Sequence, residues 1–154
     1  NLFVEKGSKF SLIEIAKIIL LKFKKKYLNI KSHTDPVNKY NILVKNFIHS
    51  LDKGNKLISD KNFEWNIYIN KKTKVEDPLY NRSIFIKEIK SYDELANIMP
   101  NNTQSLGLYV FPEEKKHIVK KLSYKIIDRF PEVGSMSLYQ NPWDGYLPMQ
   151  NMIR

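Results

Sequence analysis

The order of predicted strands and helices in the second half of the chain constrains its fold more than any other feature. Strand-like runs at residues 82–89, 105–111 and 128–134 alternate with helical patterns at 92–99 and 113–127. When a helix links two strands of one sheet, the strands are parallel and the crossover is right-handed. This order therefore predicts an α/β fold, with a mostly parallel sheet flanked by helices.

Two longer helices are predicted in the first half. The first begins at Ser11, and Glu14 three residues later completes the pattern of a capping box. Its apolar residues recur at helical spacing on one face, at Leu12, Ile15, Ile19 and Phe23. The second helix is capped by Asp35, has Pro36 at its first position and ends before Gly54.

Three further strands are predicted in the first half, at residues 2–5, 56–60 and 64–72. Apolar and mainly polar residues alternate along the third strand, and a loop at 73–81 follows it. The sequence contains no internal repeat and no low-complexity linker. We therefore predict a single α/β domain over residues 1–154, a length sufficient for one hydrophobic core.

The chain is strongly basic, with a formal net charge of +10. It contains 23 Lys but only 3 Arg, together with 15 Asn and 18 Ile. Lys, Asn and Ile all have AT-rich codons, so the composition of the genome accounts for much of this charge. Arg is the better residue for forked contacts with phosphate or guanine, and it is scarce here. We therefore do not expect a nucleic acid partner.

The absence of cysteine excludes several kinds of site within these residues. Disulfides, cysteine zinc sites and thiol nucleophiles all require a residue type that the chain lacks.

The longest apolar run, at residues 18–21, is far shorter than the roughly 18 residues needed for a membrane span. We therefore expect no membrane span and a cytoplasmic protein.

No complete active site can be assembled from local motifs. The sequence has no G-x-S-x-G, G-x-G-x-x-G or Walker pattern. His33, His49 and His117 are far apart and none lies in a metal-binding motif, so we predict no metal site. Glu76 and Asp77 are adjacent, which points their side chains in different directions. We assign no catalytic residue to this chain.

Several short motifs in the second half occur in a recognisable order. The residues that carry them are Gln104, Gly107, Arg129, Gly134, Met136, Trp143, Asp144, Gly145, Met152, Ile153 and Arg154. This part of the chain resembles the C-terminal part of bacterial acyl-CoA reductases of the LuxC type, which belong to the aldehyde dehydrogenase superfamily. Residues 1–23 resemble the strand and helix that follow the nucleophile in that superfamily. The resemblance implies a fold like the aldehyde dehydrogenase catalytic domain.

The resemblance also implies a reaction that these residues cannot complete alone. In the family, a cysteine thiolate attacks a fatty acyl-CoA thioester, and hydride from NADPH or NADH then releases an aldehyde. That cysteine would precede Asn1, and the N-terminal cofactor-binding half would also lie outside this chain. We therefore expect a C-terminal fragment that is inactive alone. Its expected partners are the missing N-terminal half and acyl-CoA, and a homo-oligomer is allowed.

Two groups of residues are predicted to contribute to a site by this resemblance. In the loop at 73–81, Tyr80 falls where related dehydrogenases carry an aromatic residue near the nicotinamide ribose. Their glutamate position falls on Pro78, so Asp77 is the neighbouring carboxylate, and cofactor binding by Asp77 and Tyr80 is weighed against an ordinary Asp-Pro turn. A second segment either closes the domain structurally or lines the substrate site, and it consists of Trp143, Asp144 and Gly145.

Two alternative functions remain open from the sequence alone. A small basic module that binds nucleic acid would account for the charge and the aromatic content. A non-catalytic interaction domain that keeps a dehydrogenase-like fold would account for the missing cysteine. The first alternative predicts binding that falls steeply with salt, and the second predicts a naturally complete chain that folds as a stable oligomer.

Overall fold

The computed structural model describes residues 1–27, 30, 35–79, 81–122, 124–125 and 127–138. The chain divides into two compact units, Asn1–Ser91 and Tyr92–Arg154. The prediction of a single domain over the whole chain stays a prediction. Within the described residues, no helix is both long and apolar enough to cross a membrane.

The first unit is an α/β sheet structure. Its elements are β1 (Leu2–Glu5), α1 (Leu12–Tyr27), α2 (Pro36–Leu51), β2 (Lys56–Ser59), β3 (Asn66–Asn70) and β4 (Ser83–Ile89). The strand order across the sheet is β1-β4-β3-β2. β4 is parallel to both β1 and β3, whereas β2 is antiparallel to β3. The predicted α/β fold with a mostly parallel sheet is therefore confirmed.

One face of this sheet is apolar and is covered by α1. Ile67 and Ile69 of β3, Ile86 of β4 and Ala16 of α1 form its buried core. Side chains alternate between the two faces of a strand, so these isoleucines lie on the same face. The partly buried residues packed against them are also apolar, and they include Leu2, Val4, Leu12, Ile15, Ile19, Ile58 and Ile84. We call this the isoleucine face.

The opposite face is covered by α2. Tyr68 of β3 stacks on Phe85 of β4, with ring centroids 4.6 Å apart. From α2, the His49 ring meets Tyr68 edge-on at 5.1 Å, and Asn46 accepts a 2.6 Å hydrogen bond from the Tyr68 hydroxyl. All five residues of β3 are buried. Its mainly polar side therefore packs under a helix, and we call this the polar face.

Both helices of the first unit begin as the sequence predicts. Glu14 accepts a hydrogen bond from the backbone N–H of Ser11 at 2.8 Å, and the Ser11 hydroxyl accepts one from the N–H of Glu14 at 3.3 Å. Asp35 caps α2 by accepting from the N–H of Asn38 at 2.9 Å, with Pro36 at the first helical position. The reciprocal bonds satisfy N–H groups that have no partner within the helix.

The second unit contains α3 (Tyr92–Ile98) and α4 (Pro112–Leu122). The predicted strands at 105–111 and 128–134 are wrong as extended strands, because the described residues form only two parallel bridges there, Ser105 to Arg129 and Leu108 to Glu132. Pro131 lies between the two bridges and has no N–H to donate, although its carbonyl accepts from Leu108 at 2.8 Å. The predicted parallel direction is nonetheless present.

The motif residues of this unit contact one another. Arg129 is buried, and its guanidinium donates to the carbonyl of Met136 at 3.0 Å and to that of Leu138 at 3.5 Å. A Cβ atom at Gly107 would lie only 3.1 Å from the Met136 sulfur. Arg129, Gly107 and Met136 therefore fix one turn of the chain together, which is a structural role.

Candidate functional site

Asp77 lies on the segment 71–79 that follows β3, and its side chain is exposed. Among the described residues, no hydrogen bond or ion pair engages its carboxylate. Its neighbour Glu76 is only 6% exposed, so the two adjacent carboxylates do point apart. The other predicted site residues, Tyr80, Trp143, Asp144 and Gly145, lie outside the residues that the structure describes.

Glu76 is the centre of a buried polar cluster that the sequence did not predict. Its carboxylate accepts a 2.6 Å hydrogen bond from the ammonium of Lys45 on α2 and forms a 3.3 Å ion pair with Lys74. It also accepts a 3.1 Å hydrogen bond from the side-chain amide of Asn70, the last residue of β3. A buried carboxylate requires such partners, because burying an unpaired charge is very costly.

These partners keep Glu76 ionised. Burial alone raises the pKa of the carboxyl group, but the hydrogen bond and charge of Lys45, followed by those of Lys74, lower it more. The pKa of Glu76 is therefore below its ordinary value. A carboxylate in this state is held as an acceptor and does not act as a proton donor near neutral pH.

Asn1 joins the start of β1 to the backbone of Glu76. The Asn1 side-chain oxygen accepts from the N–H of Glu76 at 2.9 Å, and its amide nitrogen donates to the Glu76 carbonyl at 2.9 Å. These two bonds satisfy both backbone polar groups of Glu76. The segment is thus held at the residue immediately before Asp77.

Lys87 of β4 is fully buried on the polar face. Its ammonium donates to the Asn1 side-chain oxygen at 2.6 Å and to the carbonyl of Lys74. The Phe3 and Phe85 rings lie 5.4 and 5.5 Å from the ammonium, which is within cation–π range. Within the described part of the chain, no carboxylate lies within ion-pair distance of Lys87.

The surroundings of Lys87 favour its neutral form. Burial is the largest cause, and it lowers the pKa of the amine from 10.5 to about 8. The charge of Glu76 opposes this change, whereas those of Lys74 and Lys45 add to it. A buried lysine without a carboxylate partner is unusual, because such residues are seldom fully buried unless paired.

A further layer of the polar face contains His49 and an amide acceptor without a donor. His49 donates from Nε2 to the carbonyl of Lys56 at 3.2 Å, since a carbonyl can only accept. Burial lowers the pKa of His49, so its ring is held neutral. Asn70 Oδ1 is buried and no described residue donates to it. Asn70 lines a cavity together with His49 and Glu76.

The cluster lies at a position typical of ligand sites in α/β proteins. Asn70 ends β3 and is paired with Lys87 in the parallel register, and the segment 71–79 leaves the sheet from this end. Ligands of open α/β sheets bind outside the carboxyl ends of the strands. Among the described residues, no group of three or more His, Cys, Asp or Glu side chains could hold a metal ion.

One signal in the sequence could have identified this cluster. A central parallel strand that is covered on both faces is expected to be apolar throughout. In β4, Phe85 and Ile89 lie on the same face as Lys87, so a lysine stands where an apolar residue is expected. The contact between Asn1 and Glu76 joins residues 75 positions apart and has no local signature.

Comparison with known proteins identifies the family. A search of curated proteins found no match to the chain. The family model described as acyl-CoA reductase (LuxC) matches residues 1–154, which is the whole sequence. The resemblance noted in the second half thus extends through the α/β unit that contains the polar cluster. The chain belongs to the acyl-CoA reductase (LuxC) family.

Proposed function

We propose that these residues form part of a reductase that converts a fatty acyl-CoA thioester to an aldehyde with NADPH or NADH. The family match over residues 1–154 carries this proposal. The mostly parallel sheet supports it, because such a fold suits a dehydrogenase. Membership of the aldehyde dehydrogenase superfamily and a cytoplasmic location stay predictions.

The nucleophile is proposed to come from outside these 154 residues, because they contain no cysteine. A thiolate attacks the thioester carbonyl, coenzyme A leaves as its thiolate, and an acyl-enzyme thioester remains. The nicotinamide cofactor, which Asp77 and Tyr80 would hold, would supply the hydride needed at the acyl carbon. The cysteine then leaves with the pair of electrons of the carbon–sulfur bond, and the aldehyde is released.

One described residue, Asp77, supports the proposal of a cofactor at the segment 71–79. The Asp77 carboxylate is exposed, and no described residue forms a hydrogen bond or an ion pair with it. An ionised carboxylate only accepts hydrogen bonds, so it matches a pair of ribose hydroxyl donors. We propose that Asp77 accepts from the ribose, together with Tyr80 as the neighbouring aromatic residue.

The remaining assignments concern substrate and partners. Trp143, Asp144 and Gly145 are proposed to line the acyl site, with structural packing of this segment as the alternative. The proposed partner is an N-terminal half of the same enzyme, which would supply the cofactor-binding residues. A homo-oligomer stays a prediction.

Acyl-CoA-dependent oxidation of NADPH or NADH, assayed with the protein as its source cell produces it, tests this proposal. We expect oxidation only when acyl-CoA is present, with one aldehyde formed for each cofactor oxidised. Intact mass of the same sample should exceed 18.2 kDa, the mass of these residues. A protein of 18.2 kDa that does not oxidise either cofactor would overturn the proposal and favour a non-catalytic interaction domain.

A further inference from the structure

A set of linked hydrogen bonds joins the segment 71–79 to β1 and β4, and we call the residues that form it the loop clasp: Asn1, Glu76 and Lys87. We propose that the loop clasp is a positioning device that holds the exposed Asp77 in the orientation needed to bind the ribose of the nicotinamide cofactor. This inference rests on the proposed function. Asn1 is hydrogen-bonded to both Glu76 and Lys87, and Lys87 also binds the loop at Lys74. All three residues are proposed to act through Asp77.

The amide of Asn1 behaves as an extra piece of strand along the loop. It donates to the carbonyl of Glu76 and accepts from its N–H, both at 2.9 Å. This pair of bonds fixes the position and direction of the Glu76 backbone. Asp77 is the next residue, so its Cα position follows from the clasp.

The side chain of Glu76 anchors the same residue in a second direction. Lys45 binds it from α2 at 2.6 Å, and Asn70 binds it from the end of β3 at 3.1 Å. The backbone is therefore tied to β1 and the carboxylate to α2 and β3. Glu76 is only 6% exposed and has all of these partners. The next residue, Asp77, has an exposed carboxylate.

Lys87 completes the clasp from beneath. One of its bonds goes to the Asn1 side-chain oxygen and another to the carbonyl of Lys74, two residues before Glu76. Lys87 therefore links the Asn1 side chain, which is bonded to Glu76, to the loop backbone at Lys74. The buried ammonium has a fixed set of acceptors, which explains why a lysine is tolerated in the sheet interior.

A preformed loop lowers the cost of binding. Without the clasp, the backbone at residues 74–77 would lose these bonds, and ordering it when the cofactor binds would weaken affinity. The effect should appear in cofactor binding and not in acyl transfer, because the nucleophile is elsewhere. A purely structural role would change cofactor binding and acyl transfer together, or would change neither of them.

The test uses the natural full-length protein with Asn1→Ala, Lys87→Met and the matched control Lys72→Met. Lys72 lies on the same segment, and among the residues that the structure describes its ammonium pairs with the exposed Asp52 alone, at 3.4 Å. The first readout is hydrogen exchange of the backbone amides at 73–79. The second is the Kd for NADPH and for NADH, measured by fluorescence titration, beside the rate of acyl-enzyme formation.

We expect faster exchange at 73–79 and a Kd about tenfold higher in Asn1→Ala and Lys87→Met, with acyl-enzyme formation within about twofold of wild type. Lys72→Met should match wild type in all three. Adding Asp77→Asn to Asn1→Ala should weaken binding no further than Asp77→Asn alone, because residues that act through one group are not additive.

Each other outcome overturns the inference at an identified step. Unchanged exchange at 73–79 would show that the clasp does not hold the loop. Faster exchange with an unchanged Kd would show that the loop is held for another purpose, and full additivity with Asp77→Asn would show that the clasp does not act through Asp77. If the wild-type protein reduces acyl-CoA and any of these three contradicting outcomes is found, only the inference about the loop clasp fails. If the wild-type protein binds neither cofactor, the proposed function fails and the inference with it.

Discussion

The two faces of the sheet in the first unit are built from different chemistry. The isoleucine face is apolar, and its buried residues pack under α1: Ala16, Ile67, Ile69 and Ile86. The polar face places a stacked aromatic pair beside a lysine, a glutamate and several amides under α2. Both faces are buried, and the loop whose Glu76 is bound to Asn70 of the polar face presents the exposed carboxylate of Asp77.

This difference separates stability from function within one sheet. Burial of apolar area stabilises the isoleucine face without specific geometry. Each polar group on the other face needs a partner, because a buried polar group without one is destabilising. We infer that the isoleucine face holds the sheet together and that the polar face fixes the loop at residues 71–79.

Truncation on the isoleucine face should have the largest effect on stability. Ile86→Ala would remove a fully buried side chain and lower the free energy of unfolding by about 2–5 kcal/mol. Its neighbour on the polar face, Lys87→Met, should change it by only about 1 kcal/mol, because removal of a desolvated charge offsets the loss of its bonds to Asn1 and Lys74. Urea unfolding of the natural protein measures both. Equal losses would contradict the contrast between the faces.

Removal of Glu76 should have the next largest effect. Glu76→Ala leaves Lys45 and Asn70 without an acceptor and should lower the free energy of unfolding by about 1–3 kcal/mol. Its lowered pKa means that this stabilisation is complete above the unfolded pKa and is lost as the pH falls through the folded pKa. Urea titrations at several acidic pH values should show a weaker pH dependence for Glu76→Gln, and an unchanged one would contradict the ion-pair assignment.

Titration of Lys87 should appear at alkaline pH. The folded protein releases this proton near pH 8, whereas the unfolded chain keeps it to 10.5. The unfolded chain therefore binds more protons between these values, and the free energy of unfolding rises with pH there, by at most about 1.4 kcal/mol per pH unit. The rise is obtained as the difference between wild type and Lys87→Met in urea. A difference that falls over this range would refute the burial of a lysine with a lowered pKa.

Removing the helix caps should have the smallest effects, similar for the two faces. Ser11→Ala at α1 and Asp35→Ala at α2 should each cost about 1 kcal/mol, because each leaves a helical N–H without its acceptor. Thermal unfolding of both variants tests this. If only Asp35→Ala also weakened cofactor binding, α2 would be shown to support the polar face.

The sequence predicted the fold well where the signals are local. The Ser11–Glu14 box, the Asp35 cap and the alternation along β3 depend on residues a few positions apart, and each is present in the structure. The strands around Leu108 and Glu132 are shorter than predicted, because Pro131 lacks the N–H that a longer ladder needs. Pro131 was itself a signal in the sequence against an extended strand.

The candidate site could be predicted only in part. Asp77 is exposed on the segment after β3, and its role in cofactor binding stays a proposal. In the sequence, Glu76 is only one of two adjacent carboxylates. Its partners in the structure, Asn1 and Lys45, are distant from it in sequence. Such contacts arise from the order of the strands, and the sequence does not show which loop passes beside which strand end.

Locating the acyl group after the natural protein reacts with acyl-CoA without cofactor would test most directly the proposed division of roles. We propose that these residues position the cofactor while a cysteine elsewhere supplies the nucleophile. Peptide mass spectrometry should find a single acylated cysteine outside the 154 residues and no acyl group on Lys87 or any other residue within them. Acylation confined to a residue of this chain would contradict the claim.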